Sequence, residues 1–117
     1  MTGMEATPRA LILYETEHGR CPFVDWLDSL RDIRARARIK KRLDRVELGN
    51  LGDVRSVGEG VSELKVDYGP GYRVYFAESG STLILLLCGG DKSTQRQDIL
   101  KAQQYWTDFQ RRQDASF

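Results

Sequence analysis

The sequence predicts an α+β domain in which one strand is followed by two helices, three strands and a last helix, with a mostly antiparallel sheet. Three observations lead to this fold class. Apolar residues recur at helical spacing in three segments, and in the others they alternate with polar residues or run without interruption. A third observation is length, because 117 residues suffice for one hydrophobic core. We therefore expect a single domain over residues 1–117, with its core at about 10–110.

The first part of the chain is predicted to form a strand and two helices. Residues 10–15, ALILYE, are a short apolar strand. Apolar residues at helical spacing then predict a short amphipathic helix. They are Phe23, Trp26, Leu27 and Leu30. Asp32 is a suitable N-cap for a second helix that runs to about Leu48, where Gly49 and Asn50 favour its end. Its buried stripe consists of Ile39, Leu43 and Val46.

A hairpin is predicted in the middle of the chain. Four glycines in residues 49–60 indicate a loop before it. Apolar and polar residues alternate in residues 61–68 and 72–78, and the turn Gly-Pro-Gly joins these two strands. One face of the hairpin is expected to be apolar and the other exposed. The exposed face carries Glu63, Lys65, Asp67, Arg73 and Tyr75.

A buried strand and a helix are predicted to end the domain. Residues 82–88, TLILLLC, are apolar on both faces, as in a central strand. The last helix is expected to begin with Thr94 and Gln97, which have the spacing of a capping box. Its core stripe consists of Ile99, Ala102, Trp106 and Phe109.

Charge is distributed unevenly along the chain. Residues 31–45 hold eight Lys or Arg and two Asp, a net charge of +6, whereas the remaining residues sum to −5. Four of these cations form a stripe on the side of the second helix opposite its apolar residues. They are Arg34, Arg38, Lys41 and Arg45. This polarity fits a polyanionic partner such as RNA. A solvated, arginine-rich helix face is the other interpretation.

Several classes of protein are not expected from the composition. The longest apolar run has six residues, 83–88, whereas a membrane span needs about twenty. Residues 1–9 lack the apolar region of a secretory signal, so we expect a cytoplasmic protein. Cys21 and Cys88 do not make a disulfide framework, and Cys88 is expected in the core. With one histidine and two distant cysteines, we expect no metal and no cofactor.

The polar face of the hairpin is the best candidate for chemistry. Cleaving RNA without a metal requires a base for the 2′-hydroxyl, cations for the charged phosphorane and an acid for the leaving oxygen. A three-residue turn places Asp67 opposite Arg73 and Lys65 opposite Tyr75. Arg73 can hold a phosphate through two hydrogen bonds, with Lys65 as a second cation. Lys92 reaches the same area if the buried strand pairs with the hairpin. Tyr75 offers a hydroxyl or a stacking surface. An ordinary half-exposed sheet with a cross-strand ion pair is the alternative.

Three segments resemble the phage Gp49-like or HigB-like branch of the RelE/ParE toxins. They are PFVDWLDSL, GNLGDVRSVGEGVSELKVDYGPGYRVYF and LLLCGGDKSTQRQDILKA. The resemblance covers roughly residues 10–105, and the joint occurrence of the GYRVYF and GGDKSTQ segments at their spacing is specific. It implies a RelE-like fold and ribosome-dependent cleavage of mRNA. It also implies neutralisation by a helix-turn-helix antitoxin of the HigA type in a toxin–antitoxin hetero-oligomer.

The same resemblance implies roles for individual residues. Arg73 corresponds to the central arginine of these toxins, Lys65 to a strand lysine and Lys92 to the cation after the last strand. We therefore expect these three residues to be catalytic. The chain departs from the family at Glu63, where a lysine is frequent, and at about Ile99, where a catalytic tyrosine is frequent. The histidine of HigB-type toxins is also absent, so no general acid or base is assigned.

Three functions remain open from the sequence. An mRNA endoribonuclease toxin is favoured because Lys65, Arg73 and Lys92 together suit a phosphate. In that case we expect RNA and ribosome contacts from the stripe on the second helix and from Tyr75. A ParE-like inhibitor of DNA gyrase is the second, but a protein that blocks another protein does not need a phosphate site. A non-catalytic, RNA-binding toxin relative is the third, and the missing tyrosine and the low net charge favour it.

Overall fold

The computed structural model describes residues 8–115. Its elements are β1 Ala10–Leu13, α1 Pro22–Ser29, α2 Ile33–Glu47, β2 Val54–Gly58, β3 Val61–Val66, β4 Tyr72–Ser79, β5 Leu83–Gly90, a 3₁₀ turn Lys92–Thr94 and α3 Gln95–Ala115. The prediction about a secretory signal concerns residues 1–9, of which 1–7 lie outside the described residues. None of the helices in the described part of the chain is long and apolar enough to cross a membrane.

The five strands form one sheet in the order β1-β5-β4-β3-β2. β1 runs parallel to β5, and the other neighbouring pairs are antiparallel. The parallel pair is possible because two helices and three strands separate β1 from β5 in the chain, enough for a crossover. The α+β class is confirmed, whereas the sheet is mixed rather than mostly antiparallel.

The expectation of a loop over residues 49–60 is wrong, because β2 lies within it. β2 pairs with β3 through Val54 opposite Leu64 and Arg55 opposite Glu63. The glycines that indicated a loop instead flank the strand and build its tight turn, where Gly58, Glu59 and Gly60 all have positive φ. The domain therefore has four strands after α2 rather than three.

The register predicted for the hairpin is also wrong. Lys65 pairs with Arg73 and Glu63 with Tyr75, a shift of two residues from the expected register. The shift arises in the turn, where Tyr68 N–H donates to Val66 and the last turn residue donates back to Tyr68, so the loop is longer than three residues. Because side chains alternate with a period of two, a two-residue shift leaves the two faces of the hairpin unchanged.

Helices cover both faces of the sheet. α1 and α2 pack on the apolar face, where the predicted stripe of α2, Ile39, Leu43 and Val46, is buried as expected. α3 packs on the other face through Ala102, with the rest of its predicted stripe partly buried. The polar hairpin face was predicted to be exposed, and this is wrong for Glu63, Arg73 and Tyr75, which are buried on the α3 side. Cys88 is buried there as expected.

The helix ends follow local signals, with one exception. The Asp32 carboxylate accepts hydrogen bonds from the backbone N–H groups of Arg34 (2.9 Å) and Ala35 (3.3 Å), which confirms the predicted cap of α2. Gly49 follows α2 with a φ of 94°, the left-handed geometry that glycine favours. The predicted capping box at Thr94 and Gln97 is wrong, because Asp91 and Thr94 form it one turn earlier.

Candidate functional site

A cationic groove of about 600 Å³ lies between α2 and β3. Five cations and two carboxylates line it. They are Arg38, Lys41, Arg42, Arg45 and Lys65, with Asp53 and Asp67. Three of the four residues in the predicted stripe therefore point toward β3, whereas Arg34 is not part of the groove. The excess of cations over carboxylates favours an anionic ligand along this surface.

The cations of the groove differ in how firmly they are held. Arg42, which sequence reasoning missed as a site residue, is buried and donates to the backbone carbonyls of Asn50 and Leu51. Burial, and then the charge of Arg45, lowers its pKa. Arg38 lies over the ring of Tyr68, 4.9 Å from the ring centre. Arg42 thus supports the loop after α2, while the exposed cations around it are available to a ligand.

Lys65, Arg73 and Lys92, the predicted catalytic residues, come together at one end of the sheet. Lys65 pairs with Arg73 across β3 and β4, and Arg73 pairs with Gly90 across β4 and β5. Lys92 follows two residues after Gly90. Gly71 lies between Arg73 and Lys92, because a Cβ atom there would be 3.1 Å from Nη1 of Arg73 and 3.8 Å from Cβ of Lys92. Lys65 and Lys92 are exposed, whereas Arg73 is buried.

The guanidinium of Arg73 is only partly satisfied. Its side chain is 9% exposed, and its Nη1 donates to the carbonyl of Gly71 at 2.6 Å. Its Nε lies 3.6 Å from Oε2 of Glu63, too far for a hydrogen bond, and has no other partner among residues 8–115. A buried donor without an acceptor is uncommon in folded proteins, and here the ion pair with Glu63 is the only interaction of this Nε within residues 8–115.

Glu63 is the buried anion behind Arg73. It is 4% exposed and accepts hydrogen bonds from Arg55 (2.9 Å), Gln95 (2.7 Å) and the hydroxyl of Tyr75 (3.1 Å). Burial raises the pKa of Glu63, but these hydrogen bonds outweigh burial and hold its pKa below the ordinary value. Neither Arg55 nor Gln95 was predicted at the site, since Arg55 lies in the segment that was expected to be a loop and Gln95 lies at the start of the last helix.

Tyr75 does not offer the stacking surface that the sequence led us to expect. Its side chain is fully buried, and its hydroxyl donates to Glu63. Burial, and then the charge of Glu63, raises the pKa of Tyr75. A phenol in this state keeps its proton near neutral pH, so Tyr75 and Glu63 orient the site rather than exchange protons.

The arrangement is suited to holding a phosphate. Two exposed lysines and the partly satisfied Arg73 can contact an anion at the end of the sheet, and the groove beside α2 continues the positive surface. Within residues 8–115, no group of three or more His, Cys, Asp or Glu side chains is placed to hold a metal ion.

Comparison with known proteins gives one clear relationship. No model of a known protein family matches the chain. An uncharacterized protein from Haemophilus influenzae is 50% identical to it over 80 residues, a match that covers 68% of this chain and 81% of that protein. Identity at this level over most of both chains shows common descent. The chain therefore belongs to the same family as this Haemophilus influenzae protein.

Proposed function

We propose that the protein is the toxin of a type II toxin–antitoxin system, with a RelE-like fold and a metal-independent, ribosome-dependent mRNA endoribonuclease activity that inhibits translation. The observation that carries this proposal is the meeting of Lys65, Arg73 and Lys92 at one end of the sheet. Cations fixed in advance around a phosphate stabilise the charge that develops during RNA cleavage.

The groove beside α2 supplies the second part of the proposal. RNA phosphates contacting its cations would give the toxin orientation and affinity on the ribosome with little choice of sequence. The resemblance to HigB-like toxins adds the partner, a helix-turn-helix antitoxin that forms a hetero-oligomer with the toxin. The site of action is then the cytoplasm.

Primer extension on mRNA from cells that express the protein tests this function. The wild type should produce cuts inside translated codons. Lys92→Ala should reduce cutting at least thirtyfold, because losing one charge-assisted contact removes about 2 kcal/mol of transition-state stabilisation. Arg73→Lys should have a similar effect, since it keeps the buried charge but loses the planar fork that binds phosphate.

Lys40→Ala is the matched control for Lys92→Ala. Lys40 is an exposed lysine of α2 that does not line the groove, and its removal should leave cutting unchanged. Thermal unfolding of each purified variant separates loss of activity from loss of fold. The proposal would be contradicted if cells that express the wild-type protein showed no cuts in translated mRNA. Full cutting by both Lys92→Ala and Arg73→Lys would also contradict it. Copurification with a co-expressed helix-turn-helix antitoxin tests the partner separately.

A non-catalytic, RNA-binding toxin relative is the second candidate. The observation that favours it is that Glu63 and Tyr75 are buried and hydrogen-bonded to each other, so neither is placed to transfer protons to RNA. Such a protein would sediment with ribosomes and produce no cuts. DNA breaks that depend on gyrase, in the same cells, would instead indicate ParE-like action.

A further inference from the structure

A second cleft, of about 420 Å³, lies between α1 and α3 at the end of β5. β1 pairs with β5 only as far as Leu86. Beyond that residue, no strand of the described chain pairs with β5 on this edge. The last residues of β5, 88–90, therefore line the cleft with backbone as well as side-chain atoms.

Two aromatic rings also line this cleft, Trp26 from α1 and Tyr105 from α3. Trp26 can pack on β5 because Gly89 has no side chain, and a Cβ atom there would overlap the indole. Tyr105 stacks on Tyr14, with the ring centres 4.9 Å apart. Both lining rings remain partly exposed. Aromatic side chains of this kind stack on the unpaired bases of single-stranded RNA.

Asp98 places a carboxylate in the same cleft. It is 8% exposed and lies against Gly90, where a Cβ atom would overlap the carboxylate. The hydroxyl of Thr94 donates to Oδ2 of Asp98 at 2.5 Å, and no residue of the described chain donates to its Oδ1. Burial raises the pKa of Asp98 despite Thr94 and the nearby charge of Lys101. An N–H donor from a ligand would therefore stabilise the ionised carboxylate.

The cleft is close to the phosphate site. Gly90, which lies against Asp98, is the register partner of Arg73. Single-stranded RNA that places a phosphate at Arg73 can therefore reach the cleft with an adjacent base. This neighbourhood distinguishes the cleft from an isolated surface depression.

We propose that the cleft binds one base of the RNA, which stacks on Trp26 or Tyr105 and donates an amino hydrogen to Asp98. The proposal rests on the proposed function, because the RNA it needs is the one held at Arg73. Carboxylates accept hydrogen bonds from base amino groups such as that of cytosine. Cytosine therefore fits the cleft, and uracil, which has the same ring size but a carbonyl oxygen at that position, does not.

Fluorescence anisotropy with labelled six-nucleotide oligocytidylate and oligouridylate tests this inference without ribosomes. The wild type should bind the cytidine oligonucleotide about tenfold more tightly, the effect of one specific base contact. Asp98→Asn should abolish this preference, because an amide can accept from the cytosine amino group or donate to the uracil carbonyl oxygen. Asp28→Asn removes an exposed carboxylate of α1 and should keep the preference.

The results separate this inference from the proposed function. Three results would overturn the proposal that the cleft binds a base. They are equal binding of both oligonucleotides by the wild type, a cytidine preference that persists in Asp98→Asn, and no binding of either oligonucleotide. If Asp98→Asn does not fold, wild-type NMR spectra decide: oligocytidylate should shift the indole N–H of Trp26 and the amide of Gly90, and unshifted signals reject the cleft. A preference for cytidine without mRNA cutting in cells rejects only the proposed nuclease activity. Cutting of mRNA without a preference for cytidine rejects only base binding in the cleft.

Discussion

Glu63 and Arg73 lie side by side on the α3 face of the sheet, and both side chains are more than nine-tenths buried. Two buried charges in one place are stable only when each has partners. Glu63 has three hydrogen-bond donors, whereas Arg73 keeps an unsatisfied Nε. At the residue scale, the candidate site thus consists of Glu63, whose charge is stabilised by three hydrogen bonds, and of Arg73, which Glu63 holds in place as its counterion.

Replacing the anion tests this description. Glu63→Gln should lower the free energy of unfolding by about 2–3 kcal/mol, because hydrogen bonds to a charged group are lost and Arg73 remains buried without a counterion. The folded pKa of Glu63 lies below its ordinary value of 4.5. Its stabilising contribution is therefore present above about pH 4.5 and is lost as the pH falls through the lowered folded pKa. Urea unfolding at pH 7 and at acidic pH measures both effects.

Glu47→Gln is the control for this substitution, since Glu47 is an exposed carboxylate at the end of α2. It should change stability little at either pH. A wild type and a Glu63→Gln variant with equal stability at pH 7 would show that the buried carboxylate does not support the site.

The turn between β2 and β3 allows residues 54–58 to pair as a strand. The glycines of this segment had led us to expect a loop there instead. Gly58, Glu59 and Gly60 all have positive φ, and the turn they form brings β2 alongside β3. α3 packs directly on this turn, because a Cβ atom at Gly60 would be 2.7 Å from Nε1 of Trp106. At the scale of elements, Gly60 therefore has two roles: it adopts the positive φ of the turn, and its lack of a side chain allows α3 to pack closely on the turn.

Comparing two glycines separates these two roles. Gly60→Ala should destabilise the protein by about 1–3 kcal/mol more than Gly80→Ala, because only Gly60 adds overpacking against a helix. Gly80 has a similar φ of 68° but open space around its Cβ position, so it reports the backbone cost alone. Chemical denaturation followed by circular dichroism measures the difference, and Trp106 fluorescence should change only in Gly60→Ala. Equal losses in the two variants would mean that Trp106 does not press on the turn.

The whole molecule is electrically polarised. The +6 charge of residues 31–45 is carried largely by α2, and the remaining residues sum to −5. The fold turns part of the α2 charge toward β3, where Lys65 joins it in the groove. Lys65 both lines the groove and is the register partner of Arg73, so a long polyanion in the groove would reach Arg73 and Lys92 around the end of the sheet.

Charge reversal in the groove tests this interaction. Arg38→Glu/Lys41→Glu should weaken cosedimentation with ribosomes and reduce its dependence on salt, by about one unit of slope for each lost phosphate contact. Codon preference should survive, because phosphate contacts carry little sequence information. Cosedimentation at two salt concentrations measures the effect.

Arg34→Glu/Lys40→Glu makes the same charge change on the same helix outside the groove, so ribosome binding should fall less. Equal weakening by both double variants would assign binding to the overall charge of α2. Unchanged sedimentation in the groove variant would leave α2 as a solvated or antitoxin-contacting face.

The features that the sequence determined by itself depend on neighbours in the chain. Asp32 caps α2 because its carboxylate reaches N–H groups two and three residues away. Gly49 ends that helix through its own backbone freedom. The two faces of the hairpin follow from the strict alternation of apolar and polar residues. The assignment of residues to these faces is correct although the predicted register was wrong by two residues. The joint position of Lys65 and Arg73 was predictable for the same reason.

Only the tertiary structure decided what covers each face. The alternation of polar residues predicted an exposed surface, but α3 packs on it, so Tyr75 is buried and Glu63 gains Gln95 as a partner from 32 residues away. Equally, Arg34 and Arg38 share a helix face in the sequence, but only Arg38 reaches the groove, because β3 lies beside one part of α2. The physical reason is that burial and pairing depend on elements distant in sequence, whose packing no local pattern specifies.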